Sequence, residues 1–292
     1  MLKHRKIGDL DIFLINEFTG PTHTRSFMLP DSTKEQMIDK RDLLEGRFWL
    51  PLTDRLIFTQ QIVVLKSKDS VVLIDTAVGN AKSRNSGWQH MHNTPTLDYL
   101  RGIGAGPEDV SDVVITHLHA DHVGWNTIST DGAWFPTFPD AVYHVGQADY
   151  LDMQTRFRDD RGLQNGSFSD SVMPIVEAGL MRFYQSGDSL SRLGLEVFGA
   201  AGHTPGQSGF ILKKDGRTIV FSADVLHSPI QVYFPEMNSR WCELPERARE
   251  TRRRLLDLAA EPNTTVMPAH SFTIDGWKIS RSETGFEVQI GN

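Results

Sequence analysis

Short runs of apolar, β-branched residues separated by polar turns dominate the hydrophobic pattern of the chain, and they predict β-strands. QIVVLKS and SVVLIDT flank Lys68-Asp69 and predict a hairpin over residues 61–75 whose second strand is buried. SGFILKK and RTIVFSA flank Asp215-Gly216, a dipeptide that suits a two-residue hairpin turn. Further strands are predicted at residues 9–18, 112–116, 141–145, 195–200 and 264–270.

Helical periodicity is confined to a few segments. Helices are predicted over residues 33–45, 95–104 and 246–260, and the last of these is amphipathic with a solvated charged face. Residues 146–185 hold helical stretches around a polar centre. We therefore expect an inserted, partly mobile segment there rather than a part of the core.

Composition narrows the functional classes. The chain of 292 residues is 39% hydrophobic and 23% charged, as in ordinary soluble proteins. A net charge of −7 argues against nucleic acid as the main partner, because phosphate binding requires a basic surface. Cys242 is the only cysteine, which excludes internal disulfides and cysteine-based zinc sites. With no secretory signal and no apolar stretch approaching the roughly 20 residues of a membrane span, we expect a cytoplasmic protein that does not bind membranes.

The stretch THLHADHVG, residues 116–124, places three histidines and one aspartate within six consecutive positions. Imidazole nitrogens and carboxylate oxygens are the ligands that zinc and similar ions prefer. His117 and His119 project from the same side of an extended segment and can bind one ion. Asp121 and His122 lie past a turn and can reach a second ion.

Three further ligand-type residues, His203, Asp224 and His270, each follow a predicted strand at its C-terminal end. Open α/β sheets place ligand sites at such ends. Five imidazoles and two carboxylates therefore suit two metal ions with Asp224 shared between them.

The other polar candidates carry weaker signals. His90 and His92 sit in a polar loop and are expected to be solvated rather than metal-bound. His144 is expected to be a packed strand histidine. Asp75 ends a buried strand, where it either orients a neighbouring site group or caps the turn.

The motif T-H-L-H-A-D-H matches the HxHxDH signature of the metallo-β-lactamase fold superfamily. The segments LIDTAVGN, AGHTPGQSG, SADVLHSP and MPAH follow that family's order, so the chain resembles the family over residues 60–275. The resemblance implies an α/β four-layer αβ/βα sandwich, with two mixed β-sheets and helices outside. It implies one domain over residues 1–292, in which residues 1–60 are an N-terminal extension contributing to the pocket and residues 146–190 are an inserted helical segment.

The resemblance also implies a dinuclear centre with two Zn²⁺ per chain, although manganese, iron or cobalt are compatible with the same ligands. The implied ligands are His117, His119 and His203 for the first ion, Asp121, His122 and His270 for the second, and Asp224 as the bridge. Asp75 matches an acidic position that supports the ligands. A hydroxide bridging the two metals is the implied nucleophile.

Several branches of the family fit poorly. Asp224 stands where some β-lactamases carry a cysteine ligand, and His119 stands where flavodiiron enzymes carry a glutamate. The residues after His270 are too few for the glutathione-recognising domain of glyoxalase II, and the basic extra domain of the nucleases is missing. The chain is most similar to the single-domain group of N-acyl-homoserine lactone lactonases and methyl-parathion-type hydrolases.

The leading hypothesis is an enzyme that hydrolyses a small-molecule lactone or other ester. His227 stands where the smaller lactonases carry a tyrosine. Its imidazole is expected to donate a hydrogen bond to the developing oxyanion, and the alternative is that it caps a loop or packs. Asp121 or Asp224 is expected to pass a proton to the leaving alkoxide. Exposed aromatic residues in the N-terminal segment suit a homodimer.

The alternatives are an organophosphate (phosphotriester) hydrolase, a non-catalytic metal-binding scaffold and an aromatic dehalogenase. In the first of these, aromatic side chains would cradle an aryl leaving group. Those side chains are Phe48, Trp49, Trp88, Trp125, Trp134 and Phe135.

Overall fold

The computed structural model describes residues 1–291, which divide into two compact units. Unit 1 comprises Met1–Glu17 and Gln60–Val197, and unit 2 comprises Phe18–Thr59 and the chain from Phe198 onward. Each unit has its own hydrophobic core. The core of unit 1 is built around Val113 and Tyr143, and that of unit 2 around Trp49 and Trp277.

The strands follow one another along the whole chain. They are β1 (Leu2–Ile7), β2 (Leu10–Thr24), β3 (Trp49–Leu50), β4 (Arg55–Lys66), β5 (Val71–Ile74), β6 (Asp112–Val114), β7 (Thr127–Thr130), β8 (Ala133–Pro136), β9 (Val142–Gly146), β10 (Met181–Tyr184), β11 (Ser189–Leu190), β12 (Leu195–Gly199), β13 (Ser208–Lys214), β14 (Arg217–Ala223), β15 (Thr264–Pro268), β16 (Trp277–Ser282) and β17 (Gly285–Ile290).

The α-helices are mostly short. They are α1 (Arg25–Met28), α2 (Lys34–Asp39), α3 (Arg41–Leu44), α4 (Thr96–Gly102), α5 (Gln147–Asp159), α6 (Met173–Glu177), α7 (Ile230–Tyr233) and α8 (Pro245–Ala259). Short 3₁₀ segments cover Gly124–Asn126 and Leu163–Gly166, and a π-helical turn covers Phe168–Val172. Within residues 1–291, no helix combines the length and apolarity that crossing a bilayer requires.

Two mixed sheets confirm the predicted α/β class. One has the order β1-β2-β4-β5-β6-β9-β10 with β3 paired to β4, and the other runs from β11 to β17 in sequence order. The neighbours β5, β6, β9 and β10 are parallel, as are β14 and β15. Because parallel strands end at the same edge, residues that are distant in sequence can meet there.

Both predicted hairpins are confirmed. The β4–β5 turn is closed by the backbone N–H of Ser67 donating to Ser70 at 2.9 Å. In the β13–β14 turn, Asp215 and Gly216 both have positive φ, 49° and 70°, as a type I′ turn requires. The β4 strand begins before the predicted residue 61, because Arg55 and Leu56 pair with β3.

The helix predicted over residues 33–45 is broken into α2 and α3. Lys40 has non-helical dihedrals, φ −110° and ψ 24°, and it separates the two helices. The break follows a strong helix start, since Thr33 and Gln36 form a reciprocal capping box. The predicted amphipathic helix after Pro245 is confirmed as α8.

The expectation that residues 146–185 lie outside the core is wrong. Tyr150 and Met153 of α5, and Phe168 and Ile175 further along, are buried in the core of unit 1. Tyr150 and Met153 lie three residues apart and share one face of α5 that packs inward. The polar residues that suggested an insertion are exposed at residues 159–161 and at Asn165 and Ser169.

A buried charge cluster fastens this segment within unit 1. The Lys82 amine is fully buried, donates to the Thr127 hydroxyl at 2.6 Å and lies 3.5 Å from the ring centre of Trp134. Arg84 donates two hydrogen bonds, of 2.7 and 2.9 Å, to the carboxylate of Asp170, which lies 3.5 Å from the same amine. Burial lowers the pKa of Lys82 to about 7, although the Asp170 charge opposes that shift.

Replacing Lys82 by methionine should remove a pH dependence of stability. The pKa of this amine is 10.5 in the unfolded chain and about 7 after folding, so the unfolded chain binds more protons between these values. The wild-type free energy of unfolding should therefore rise relative to that of Lys82→Met as the pH increases from about 7 to about 10. Urea unfolding at several pH values measures this difference, and parallel pH profiles would contradict it.

Gly124 is the last residue of the stretch that holds the histidine motif, and it packs against the backbone of Val78. A Cβ atom at position 124 would lie 1.7 Å from the carbonyl oxygen of Val78. The N–H of Gly124 also donates to Ala77 at 2.8 Å, so the loop after β5 and the loop after the motif are held together. No side chain fits at this crossing unless the backbone moves.

Gly124→Ala should therefore destabilise the protein by about 3 kcal/mol or more, because a backbone clash cannot be relieved by rotating a side chain. Gly87→Ala is the matched control, since a Cβ there meets no atom within 4 Å. Chemical unfolding of the two variants measures the difference. Equal stability of both would show that the crossing is not as tight as the structure indicates.

Candidate metal centre

In unit 1, the carboxylate of Asp75 joins the ends of the parallel strands β5 and β6. Its Oδ1 accepts a hydrogen bond from the backbone N–H of Thr116, and its Oδ2 accepts one from the Thr116 hydroxyl, both at 2.8 Å. Asp75 is buried and has a φ of 55°, a left-handed conformation that turns the chain out of the sheet. The residue does more than cap the turn.

Asp75 and Thr116 also set the proton positions of two motif histidines. Nδ1 of His122 donates to Oδ2 of Asp75 at 2.8 Å. The Thr116 hydroxyl proton goes to Asp75, so its oxygen accepts from Nδ1 of His117, 3.0 Å away. In each neutral ring the lone pair is then on Nε2, the state that binds a metal.

The four motif residues form one cluster within unit 1. The ring centre of His117 lies 4.1 Å from that of His122 and 4.5 Å from that of His119. Nε2 of His122 is 3.8 Å from Oδ1 of Asp121, whose Oδ2 accepts a hydrogen bond of 2.9 Å from Nε2 of Gln60. The predicted juxtaposition of these side chains is thus present.

In unit 2, Asp224 and His270 follow the parallel strands β14 and β15. The register of this pair shifts between Phe221 and Ala223, and Ala223 has a φ of 51°. Such an irregularity at a strand end redirects the next side chain, here that of Asp224.

His203 reaches the same cluster through a close backbone approach. Gly202 has a φ of 145°, and a Cβ atom on it would lie 2.4 Å from Cα of Ala248 in α8. Only glycine allows the chain to pass the helix at this distance. Nε2 of His203 lies 3.3 Å from Oδ2 of Asp224.

Three imidazoles surround the Asp224 carboxylate. Nε2 of His227 and Nε2 of His270 each lie 3.2 Å from Oδ2 of Asp224. All four side chains are at least 95% buried, and ligand atoms of His203, Asp224 and His227 lie within 4.8 Å of one another.

His227 is the least satisfied member of this group. Its backbone N–H donates to Oε1 of Gln231 at 2.7 Å, but its buried Nδ1 has no hydrogen-bond partner among residues 1–291. Burial lowers the pKa of His227, although the Asp224 charge opposes that shift. The neutral imidazole is therefore favoured.

The donor set of both clusters fits a divalent metal ion. Nδ1 of His270 donates to the carbonyl of Thr59 at 2.9 Å, so the neutral ring presents a lone pair on Nε2 to the carboxylate of Asp224. The Nε2 lone pair of His270 and the negatively charged carboxylate of Asp224 repel each other, and a cation bound by both removes that repulsion. Neutral imidazoles with a fixed second nitrogen, combined with carboxylates, are typical ligands of zinc, iron, manganese and cobalt.

The remaining histidines lie elsewhere. His90 is exposed and accepts from the N–H of Arg84 at 3.1 Å. His92 is half-buried rather than solvated, and a hydrogen bond with Glu17 raises its pKa. Neither belongs to a group of residues 1–291 that could hold a metal ion. His144 is confirmed as a strand histidine, with its Nε2 2.7 Å from Asp112.

The aromatic residues suggested as a cradle for an aryl group are mostly structural. Phe48 and Trp49 are buried in the core of unit 2, and Trp125 is buried in the core of unit 1. Trp134 covers the Lys82 amine. That expectation is wrong for Phe48, Trp49 and Trp125, because their apolar surface is used for packing.

Three buried polar residues that support the motif were missed. Glu17, with a fully buried side chain, accepts from the N–H groups of Val78 and Gly79 and from Nε1 of Trp125. Asp149 on α5 accepts from the N–H of Leu118 at 2.8 Å, and Gln60 holds Asp121. The only sequence signal is a polar residue inside an otherwise apolar strand or helix face.

Comparison with solved structures identifies proteins that share the fold of this chain over its whole length. The chain is similar to a hydrolase of the β-lactamase superfamily, AbOPH, with a TM-score of 0.79 and 22% identity, over 100% of this chain and 97% of that one. It is also similar to AidC, described as a dizinc quorum-quenching lactonase, with a TM-score of 0.78 and 18% identity, over 100% of this chain and 97% of that one.

Sequence comparison gives the family. A stretch of 124 residues, 42% of this chain, is 29% identical to ribonuclease TTHA0252 of Thermus thermophilus and spans 27% of that protein's length. The sequence profile described as the metallo-beta-lactamase superfamily matches residues 57–270. With its fold and its two histidine–aspartate clusters, the chain belongs to the metallo-β-lactamase superfamily.

Proposed function

We propose that this protein is a metal-dependent hydrolase that opens a lactone or another carboxylic ester with two zinc ions. The observation that carries the proposal is the fixed orientation of the histidines. His117, His122 and His270 each have Nδ1 bonded to a protein oxygen, so the neutral ring carries its lone pair on Nε2, the atom that would bind a metal. Family membership supports hydrolytic chemistry but does not select the substrate.

The proposed ligands are those that the family resemblance implies. The first ion would bind His117, His119 and His203, the second would bind Asp121, His122 and His270, and Asp224 would bind both. Divalent ions supply Lewis-acid polarisation of a carbonyl and a nucleophile derived from water at neutral pH.

The side chains of this chain then orient the substrate and move protons. His227 would donate a hydrogen bond from its imidazole to the carbonyl oxygen, where negative charge develops. The lack of a hydrogen-bond partner for the buried Nδ1 of His227 among residues 1–291 supports a role for this side chain beyond packing. Asp121 or Asp224 would carry a proton to the leaving alkoxide.

The burial of the aromatic residues favours the lactone class over an aryl phosphotriester. AidC is described in complex with the product N-hexanoyl-L-homoserine, and at 18% identity its likeness to this chain is one of fold and does not select the substrate. A phosphotriester with an aryl leaving group is less favoured, because Phe48, Trp49 and Trp125 are buried in the cores.

Hydrolysis by the zinc-loaded protein is the direct test. We expect turnover of γ- or δ-lactones, and His122→Ala should lower kcat/KM by on the order of 10³-fold while reducing bound zinc. His90→Ala is the control and should change neither. A panel of lactones, aryl esters and an aryl phosphotriester, assayed by pH-stat, measures this.

Each other outcome has a clear meaning. Failure to hydrolyse any lactone or ester would refute the proposal, and turnover of the phosphotriester alone would favour the alternative. Fewer than about one zinc per chain after gentle purification would favour a non-catalytic scaffold. Equal damage from His90→Ala would require a new ligand assignment.

Asp75→Asn should weaken zinc binding by about 10- to 100-fold, because an amide nitrogen would face the N–H of His122 in place of an accepting oxygen. Asp112→Asn is the matched control, since Asp112 bonds His144 at 2.7 Å outside both clusters. Competition with a chromophoric chelator measures both affinities. An unchanged affinity in Asp75→Asn would show that the carboxylate does not orient His122.

A further inference from the structure

Gln60 is a buried amide in an apolar strand. It is 1% exposed on β4, and the following residues Ile62 and Val64 are fully buried in the core. Its Nε2 donates a hydrogen bond to Asp121, but its Oε1 has no hydrogen-bond partner among residues 1–291. A half-satisfied buried amide lowers stability, so packing does not explain why this residue is glutamine.

The contact determines which oxygen of Asp121 faces His122. Carboxylate oxygens only accept hydrogen bonds, so the amide must turn its nitrogen towards Oδ2, which lies at 2.9 Å. The other oxygen, Oδ1, lies 3.8 Å from Nε2 of His122. A fixed Oδ2 prevents the carboxylate from rotating and keeps Oδ1 on the side of the imidazole.

A neutral donor suits a carboxylate that must bind a cation. An amide leaves the negative charge of Asp121 intact, whereas a lysine or arginine at this place would neutralise it and repel a metal ion. Asp170 of the same unit shows the contrast, because its carboxylate bonds Arg84 and lies close to Lys82. Asp170 is held by cationic side chains, whereas the donor that Gln60 offers to Asp121 is neutral.

We infer that Gln60 is a positioning residue for Asp121, which holds Oδ2 so that Oδ1 is presented to the metal ion that His122 binds. The inference rests on the proposed function, because it takes Asp121 and His122 as ligands of one ion. Gln60 acts only through Asp121. Replacing Gln60 should therefore change the metal affinity and the arrangement of the ligands around the metal ion.

Gln60→Met tests this role, because methionine keeps the length and bulk of glutamine but cannot donate a hydrogen bond. We expect one of the two zinc ions to bind about 10- to 100-fold more weakly, as after the loss of other groups that orient ligands. We expect the metal-free variant to unfold at the same temperature as the wild type or higher, because the unpaired Oε1 is also removed. Gln60→Leu should behave in the same way.

Gln61→Met is the matched control. Gln61 is the next residue on β4 and is also buried, but its side chain leaves the opposite face of the strand. Its zinc affinities should stay within about twofold of the wild type. Zinc titration against a chelator gives the affinities, and the visible spectrum of the cobalt-substituted protein reports the ligand field independently of activity.

The outcomes separate this inference from the proposed function. Wild-type affinities for both ions in Gln60→Met, with an unchanged cobalt spectrum, would overturn the inference while leaving the hydrolase proposal intact. An equal loss in Gln61→Met would also overturn it. If the wild type binds two ions but hydrolyses no ester, the proposed function fails, and a weakened ion in Gln60→Met still supports the role of Gln60.

Discussion

The hydrogen bonds that Asp75 accepts set the geometry of the histidine motif in unit 1. One buried carboxylate takes the N–H and the hydroxyl of Thr116 and also Nδ1 of His122. The Thr116 oxygen passes the same constraint to His117. Two imidazoles are thereby fixed in tautomer and direction by a single group, which is possible because β5 and β6 are parallel and end together.

Both units use left-handed residues where a strand end delivers a metal-ligand side chain or its support. Asp75 follows β5 with a φ of 55°, and Ala223 ends β14 with a φ of 51° directly before Asp224. Residues other than glycine adopt this conformation at a cost, and such strain is concentrated at functional sites. The buried polar groups add to that cost unless they are paired, which accounts for the dense hydrogen bonding around Asp75.

The sequence predicted the parts of the structure that have a local signature. The two hairpins, the amphipathic helix α8 and the placement of His203, Asp224 and His270 after strands followed from periodicity and turn chemistry. The HxHxDH spacing predicted the family and the proximity of the four motif residues. The ligand assignment, the native metal and the homodimer stay predictions.

What escaped prediction depends on tertiary contacts. Lys40 gave no sign that it would separate two helices, and the charged centre of residues 146–185 hid an apolar face that packs into the core. Gln60 and Lys82 are polar residues that become buried because distant side chains bond them. No window of neighbouring residues contains that information, since the partners lie 61 and 45 positions away.

The hydrogen bond from the N–H of Leu118 to Asp149 bears on how this scaffold can be recombined with its relatives. Asp149 stands in the first turn of α5, at the beginning of the segment that the sequence suggested to be an insertion, yet it anchors the peptide between His117 and His119. A chimera in which another protein's segment replaces this chain from residue 146 onward would lose Asp149 and therefore the hydrogen bond that anchors the motif. A graft boundary placed after α5, in the exposed stretch that ends at residue 162, would leave that anchor in its native context.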